Sequence, residues 1–251
     1  KENKSKVDPD DRNKDDMLVC AVHDGHVDVV KVLIQNGADV NAVNIKYVLD
    51  ILKFYENRKE RRNADRCVDV AKVLIQNGID VEAVDALGNS QIHYAAHIGH
   101  VDIAKVLIQN GADVNAVDNW KWTAVHKAAK YGHAEFAEML LQNGIDVNAV
   151  EKSNKTALHI AARNGHADVA KVLIRNGADV NTVEEEKWTP LHCAAKKGHV
   201  DVAKVLIQNG ADVNAVDVYK WAALRWTAQE GHVDVAKVLL ENGADVNAVH
   251  G

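Results

Sequence analysis

The chain has 251 residues, a formal net charge of −6 at neutral pH and three cysteines. Such an acidic chain lacks the basic surface of an ordinary nucleic-acid-binding protein, and three cysteines cannot form a closed set of disulfides, which favours a reducing compartment. No apolar run reaches the ~18 residues of a membrane-spanning helix, and no signal peptide is recognisable. We therefore expect an intracellular protein, most simply a cytoplasmic one, that does not enter a membrane.

The chain begins with a polar segment, after which a sequence repeat follows. Residues 1–16 are almost wholly charged or polar, so we expect a frayed lead-in, with residues 1–10 outside the repeat domain. The repeat is marked by the glycine of the segments NGAD and NGID, which stands at Gly37, Gly78, Gly111, Gly144, Gly177, Gly210 and Gly243.

The spacing of this glycine is 41 residues once and 33 residues five times. It predicts a single repeat domain over residues 11–251, with units at about 11–43, 44–84, 85–117, 118–150, 151–183, 184–216 and 217–249. A unit of this size cannot bury its core alone and must stack on its neighbours. The last helix is as apolar as the internal ones, so we expect the chain to be a piece of a longer protein.

The fifth repeat shows what each unit contains. Thr156 is a good N-cap for a short helix over Ala157–Arg163, and the dipeptide before His166 breaks that helix. A second helix follows to Arg175, with apolar residues around most of its circumference, so it must be packed on several sides. Gly177 then suits the left-handed position after a helix C-terminus.

The motifs TALHIAARNGH (156–166) and NGADVN (176–181) resemble the ankyrin repeat, as do TPLH (189–192) and SQIH (90–93). The resemblance covers roughly residues 11–249. It implies an all-α repeat solenoid of seven helix–turn–helix units with β-hairpin fingers, of which the second unit is irregular. The fingers and the first helices would form a concave groove.

The thirteen histidines follow the repeat and do not converge on one point, as a metal shell requires. The resemblance implies that the fourth residue of the TPLH motif hydrogen-bonds the turn and the neighbouring repeat; these residues are His93, His126, His159 and His192. Six further histidines start second helices. No catalytic motif or phosphate loop occurs, so we expect no enzyme, cofactor or metal. Small buried hydrophobes are the simplest interpretation of Cys20, Cys67 and Cys193.

The second repeat is damaged between Val43 and Cys67, where eight extra residues enter. The segment Tyr47–Tyr55 has apolar residues at helical spacing, and a charged run from Glu56 to Arg62 follows. We predict an extended first helix and a basic projecting loop, with Arg66 in the place of the glycine before the second helix. Drift in a tolerant solenoid and a second contact site or hinge both remain open.

The finger turns also depart from the family pattern. The turn glycine is kept only at Gly88, and lysine or asparagine stands there in the later repeats: Lys121, Asn154, Lys187 and Lys220. A lysine at positive φ costs on the order of 1 kcal/mol, which suggests a different turn. The last repeat has Ala222 in place of the hydroxyl cap, so its first helix should fray more easily.

In the ankyrin family the variable positions at the finger tips and at the ends of the first helices line the groove. In the fourth to sixth repeats these positions hold eight basic and two acidic residues, a local charge near +6. All five tryptophans lie between Trp120 and Trp226, in the fourth to seventh repeats. The candidate partner-binding residues are Trp120, Trp122, Lys130, Tyr131, Lys155, Arg163, Trp188, Lys196, Lys197, Tyr219 and Trp221.

Aromatic residues beside cations are typical of interface hot spots, although each finger tryptophan could instead only pack on its neighbouring finger and stiffen the hairpin. Trp226 belongs to a first helix, and we expect it to pack there. We expect a non-catalytic, monomeric scaffold that binds an acidic, partly apolar protein on the groove of the fourth to seventh repeats. One alternative is a phosphorylated small molecule or single-stranded nucleic acid, because stacking rings beside lysines suit bases beside phosphates. The other is a structural spacer in a larger protein.

Overall fold

The computed structural model describes residues 9–247, with side chains from residue 13, and these form two compact bodies that meet at Asp113 and Val114 in sequence. The α-helices of the first body are α1 (Pro9–His23), α2 (Val27–Gln35), α3 (Ile45–Asn57), α4 (Arg61–Gln76), α5 (Gln91–Ile98) and α6 (Val101–Gln109), with a 3-10 turn at Val40–Ala42. Those of the second are α7 (Ala124–Tyr131), α8 (Ala134–Gln142), α9 (Ala157–Asn164), α10 (Ala167–Arg175), α11 (Pro190–Lys197), α12 (Val200–Gln208), α13 (Ala223–Glu230) and α14 (Val233–Glu241).

In each body consecutive helices pair and the pairs stack in chain order. The predicted all-helical repeat solenoid is therefore confirmed. The core is continuous along each stack and is made of small and aliphatic side chains such as Ala161, Val169 and Leu173. No strand is assigned among the described residues, and the fingers contain only isolated antiparallel bridges, at Val150–Thr156 and Val216–Ala222.

Local sequence signals set the limits of each first helix. In α11, Thr189 and His192 form a capping box, in which the Thr189 N–H donates to Nδ1 of His192 at 3.2 Å and the His192 N–H donates to the threonine hydroxyl at 3.4 Å. This arrangement satisfies two of the free donors at a helix start. The helix ends at Gly198, whose left-handed φ of 74° closes the C-terminus.

Two sequence predictions about the N-terminal part are wrong. Residues 9–16 are not a frayed lead-in, because α1 begins at Pro9, inside the segment assigned to the lead-in; residues 1–8 lie outside the described part of the chain. Cys20 is exposed, whereas Cys67 and Cys193 are buried as predicted. Cys20 lies on the solvent face of α1. The position of Cys20 within the repeat did not reveal this orientation.

The second repeat differs from the others in the length of its helices. α3 has 13 residues and α4 has 16, where α11 and α12 have eight and nine. The extended first helix is therefore confirmed. The prediction of a basic projecting loop is wrong. Glu56 belongs to α3 and Arg61 begins α4, which leaves only three residues between the two helices.

Lys59 and Glu60 take the places that glycine and histidine have between the helices of other repeats. Lys59 has a left-handed φ of 59° and Glu60 is the N-cap of α4. Arg66, predicted to precede the second helix, lies inside α4, as does Cys67. The Cβ of Arg66 would be 3.1 Å from a methyl group placed on Gly25, so this arginine packs against the preceding repeat.

A row of asparagines joins successive repeats of the second body at the start of each finger. The Asn181 Nδ2 donates to the carbonyl of Gly210 at 3.0 Å, and its Oδ1 accepts from the N–H of Asp212 at 2.9 Å. The same pair of bonds occurs at Asn148 and Asn214. These amides tie one repeat to the next, because each satisfies backbone groups that no strand pairing uses.

Candidate functional site

Each finger of the second body is organised by a buried carboxylate at its base. The Oδ1 of Asp118 accepts from the backbone N–H groups of Trp120 and Trp122, both at 2.9 Å. The same bonds recur in the next three repeats at Glu151, Glu184 and Asp217. These four residues are not among the predicted site residues, although an acidic residue at this place recurs every 33 residues in the sequence.

Where the carboxylate at the base of the finger belongs to an aspartate, its Oδ2 accepts a hydrogen bond from a side chain nine residues further along the sequence. Lys127 Nζ lies 2.9 Å from Oδ2 of Asp118, and Trp226 Nε1 donates to Oδ2 of Asp217 at 3.1 Å. In the fifth repeat, whose base is a glutamate, the equivalent residue is the apolar Ile160. Burial alone would raise the pKa of Asp118, but the hydrogen bonds from Lys127 and two backbone N–H groups hold that pKa below its ordinary value.

The finger turns have the left-handed residue that the family pattern requires, so the expectation of a different turn is wrong. The φ angles are 61° at Lys121, 59° at Asn154 and 57° at both Lys187 and Lys220. The carboxylate at the base accepts from the N–H groups on either side of this residue. Its hydrogen bonds therefore hold the turn in a conformation that lysine adopts only at a cost.

The histidines of the TPLH motif are buried and bond in both directions, as the resemblance implied. The Nδ1 of His159 accepts from the N–H of Thr156, and its Nε2 donates to the carbonyl of Trp188 in the next repeat at 3.0 Å. His126 and His192 repeat this pattern. Burial lowers the pKa of His126 to about 4, and it also lowers the pKa of His159 and of His192. These imidazoles are therefore neutral at pH 7.

The ends of the first helices are fixed by the histidines that start the second helices of the following repeats. His166 Nε2 donates to the carbonyl of Lys130 at 3.1 Å, and His199 Nε2 donates to the carbonyl of Arg163 at 3.1 Å. His232 does the same for Lys196 at 3.0 Å. The backbones of these three cationic residues at the helix ends are thus anchored by the following repeat.

Three of the five tryptophans form one cluster. The ring of Trp226, which is 7% exposed, lies between Trp188 and Trp221, with centroid distances of 4.8 Å to each. Trp226 packs as the sequence predicted, and the rings of the two finger tryptophans cover it on either side. The Nε1 of Trp188 is buried without an acceptor among the described residues, at a cost of about 1–3 kcal/mol that ring packing has to offset.

Cations lie over several of these rings. The Lys196 ammonium is 4.2 Å from the centroid of Trp226 and 4.9 Å from that of Trp188. Lys130 stands 5.6 Å from the ring of Trp122. Such contacts contribute about 0.5–2 kcal/mol each, depending on how far they are desolvated. They hold the long lysine side chains in place beside the aromatic surface.

We use the term groove face for the finger tips and first-helix ends of the fourth to seventh repeats. All eleven predicted site residues belong to the second body and lie on this face. Trp120 and Tyr219 are the most exposed of its aromatic residues, at 47% and 61%. Lys130, Tyr131, Arg163 and Lys197 are also exposed, whereas the other five are partly covered: Trp122, Lys155, Trp188, Lys196 and Trp221.

The groove face contains a cleft of about 530 Å³ in the fifth and sixth repeats. Five predicted residues line it, namely Lys155, Arg163, Trp188, Lys196 and Lys197, together with Ser153, Glu184, Glu185, Glu186 and Cys193. Lys155 pairs with Glu184 at 3.5 Å, and Glu184 is buried. The cleft is therefore not uniformly basic, because the finger-base carboxylate and the two finger-tip acids offset part of its positive charge.

Among residues 9–247 no group of three or more His, Cys, Asp or Glu side chains could hold a metal ion. Burial raises the pKa of the Cys193 thiol to about 12, so the cysteine in the cleft is not a thiolate nucleophile at neutral pH. None of the described helices is both long and apolar enough to span a membrane.

Comparison with protein families gives one consistent result. A model described as ankyrin repeats (3 copies) matches residues 62–151, 92–184 and 158–250, and a model of the single ankyrin repeat matches residues 17–45. Together the matches extend over both bodies and include the whole groove face. No curated protein matches the chain significantly.

Proposed function

Because the chain belongs to the ankyrin repeat family, whose repeats generally mediate protein–protein interactions, we propose that it is a non-catalytic scaffold. It binds another protein on the groove face, through a partner surface that carries acidic and apolar side chains. The protein is a monomer of a reducing compartment, most simply the cytoplasm, where the thiols of Cys67 and Cys193 stay buried and reduced.

The observation that carries this proposal is the row of cations at the ends of the first helices. Lys130, Arg163 and Lys197 are exposed and have no ion-pair partner among the described residues. Histidine hydrogen bonds anchor the backbones of Lys130 and Arg163, so a partner would meet cations on a backbone that needs little further ordering. The exposed rings of Trp120 and Tyr219 supply apolar contact on the same face.

The test is a capture experiment that uses charge reversal instead of removal of tryptophans. Trp188 and Trp221 pack on Trp226, so their replacement by alanine would loosen the fold as well as the surface. Reversing exposed cations, in the double variant Arg163→Glu/Lys197→Glu, changes the surface alone. Proteins retained by the wild type should be lost from this variant.

The matched control is Lys204→Glu/Lys237→Glu, which makes the same change in net charge on the second helices α12 and α14. If the control loses the same proteins, capture depends on net charge and the groove face is the wrong site. A titration with a phosphorylated nucleotide and with single-stranded DNA at several salt concentrations distinguishes the ligand classes. Tight, salt-dependent binding of the nucleotide or of single-stranded DNA would show that the ligand is not a protein.

A further inference from the structure

The cleft of the fifth and sixth repeats has two walls of opposite charge. Arg163 and Lys197 stand on one wall, at the ends of α9 and α11. Glu185 and Glu186 stand on the other, at the tip of the sixth finger.

The charges of both walls are uncompensated within the protein. Neither Arg163 nor Lys197 has an ion-pair partner among the described residues, and the same is true of the carboxylates of Glu185 and Glu186. The one ion pair in the lining joins Lys155 to Glu184. The four wall residues are all exposed, so the cleft presents two separate, unpaired charges to a ligand.

The lining of the cleft also contains an aromatic ring and a thiol. These belong to Trp188 and Cys193, and the Lys196 ammonium is drawn over the ring of Trp188. The acidic wall is particular to the sixth repeat of the second body. The corresponding finger-tip positions of the other three repeats hold neutral or basic residues, which are Asn119 and Trp120, Lys152 and Ser153, and Val218 and Tyr219.

We propose that this cleft selects a partner segment of mixed charge, with a carboxylate over Arg163 and Lys197 and a cationic side chain over Glu185 and Glu186. The inference rests on the proposed function and narrows its partner from an acidic surface to an oriented acidic–apolar–basic segment. An apolar side chain between the two charges contacts Trp188.

A purely acidic segment fits this cleft less well. Its second carboxylate would approach Glu185 and Glu186, and like charges brought together at an interface oppose binding. The two acids thus act against ligands that the basic helix ends alone would accept, which is how an interface gains specificity. The orientation of the bound segment follows from the same charges, since reversing the segment places both of its ends against like charge.

The experiment is a selection of random dodecapeptides displayed on phage against the immobilised full chain. We expect the enriched sequences to carry an acidic and a basic residue with an apolar residue between them. Against Glu185→Lys/Glu186→Lys the basic position should become acidic while the original acidic position is kept. A fluorescent peptide from the wild-type selection should bind this variant at least tenfold more weakly, and the control Lys204→Glu/Lys237→Glu within twofold of the wild type.

The outcomes separate the inference from the function on which it rests. Purely acidic peptides that are lost with Arg163→Glu/Lys197→Glu, but bind equally to Glu185→Lys/Glu186→Lys, would overturn the mixed-charge inference and leave the groove face as the binding site. Peptides that depend on neither pair of residues would overturn both. Circular dichroism of each variant checks that the repeats remain folded, and the single variants serve where a double variant does not fold.

Discussion

His199 fills the space that a side chain on Gly165 would occupy. A methyl group placed on Gly165 would lie 2.6 Å from Nδ1 of His199, and the same imidazole donates from Nε2 to the carbonyl of Arg163 at 3.1 Å. Gly165 also has a left-handed φ of 78°. This glycine is therefore required twice, once by its backbone conformation and once by the next repeat.

The variant Gly165→Ala should lower the free energy of unfolding of the second body by roughly 2–4 kcal/mol. Of this, about 1–2 kcal/mol comes from the left-handed backbone, and the rest from displacing the imidazole and weakening its hydrogen bond. Urea unfolding followed by tryptophan fluorescence measures the change, because all five tryptophans lie in the second body.

Gly177→Ala is the matched control for this prediction. Gly177 belongs to the same repeat and has a φ of 92°, but no heavy atom lies within 4 Å of a methyl group placed there. It should cost only the backbone part. A second check is Gly165→Ala in a His199→Ala background, where the additional loss of stability should disappear. If Gly165→Ala and Gly177→Ala lower the free energy of unfolding equally in the wild-type background, the contact with His199 does not contribute to the cost.

Acidification should destabilise the second body well before its carboxylates are protonated. His126, His159 and His192 have lowered pKa values in the fold, about 4 for His126, while an unfolded histidine titrates near 6.5. Between pH 6.5 and about 4 the unfolded chain binds a proton at His126 that the folded chain does not, so stability falls as pH falls, by up to about 1.4 kcal/mol per pH unit. The lowered pKa values of His159 and His192 act in the same direction below pH 6.5.

The measurement is the free energy of unfolding at pH 7, 6 and 5, where the aspartates remain ionised. His126→Gln should reduce the slope between pH 6 and 5, whatever its effect on stability at pH 7. A slope that does not change in this variant would mean that His126 is charged in the fold. His133→Gln replaces a histidine at the start of a second helix and serves as the comparison.

Lys187→Gly should stabilise the second body by about 0.5–1 kcal/mol. Lys187 adopts a φ of 57°, and glycine reaches this angle without the steric cost that a Cβ imposes. The gain in stability is reduced by the conformational entropy that glycine adds to the unfolded chain. Asn154→Gly at a φ of 59° is the control, and its gain should be smaller because asparagine tolerates the left-handed region. A destabilised Lys187→Gly would show that the lysine side chain itself supports the finger.

The tryptophans should separate into structural and surface residues. Trp226→Ala should cost about 3–5 kcal/mol, since it removes a buried ring and leaves a cavity, together with the hydrogen bond to Asp217. Trp120→Ala should change stability by less than about 0.5 kcal/mol, as is usual at an exposed position. Thermal unfolding followed by circular dichroism compares the two variants without depending on tryptophan emission.

Much of the fold could be predicted from the sequence because its signals are local or strictly periodic. The threonine that caps α9 and the glycine that ends it lie within ten residues of each other and act through backbone groups nearby. The 33-residue spacing predicted the stacking. The resemblance to the ankyrin repeat implied the role of His159, which bonds the turn of its own repeat and the carbonyl of Trp188 in the next.

The candidate site was predicted only in part. The sequence placed Arg163, Lys196 and Lys197 at helix ends, and they do line the cleft. It did not reveal that Glu184 turns inward to pair with Lys155 from the preceding repeat, or that Trp226 stands between two finger tryptophans. A count of charged residues along the chain therefore overstated the positive charge of the groove face.

The sequence by itself determined the repeat, the helices and their caps, and the family, because each depends on neighbours in the chain or on periodicity. Only the tertiary structure decided which side chains form contacts within the protein and which remain accessible to a partner. Lys155 and Glu184 are 29 residues apart, and Trp188 and Trp226 are 38 apart. Such pairs form where stacking brings two repeats together, and their geometry depends on rotamers and burial that no local pattern of residues specifies.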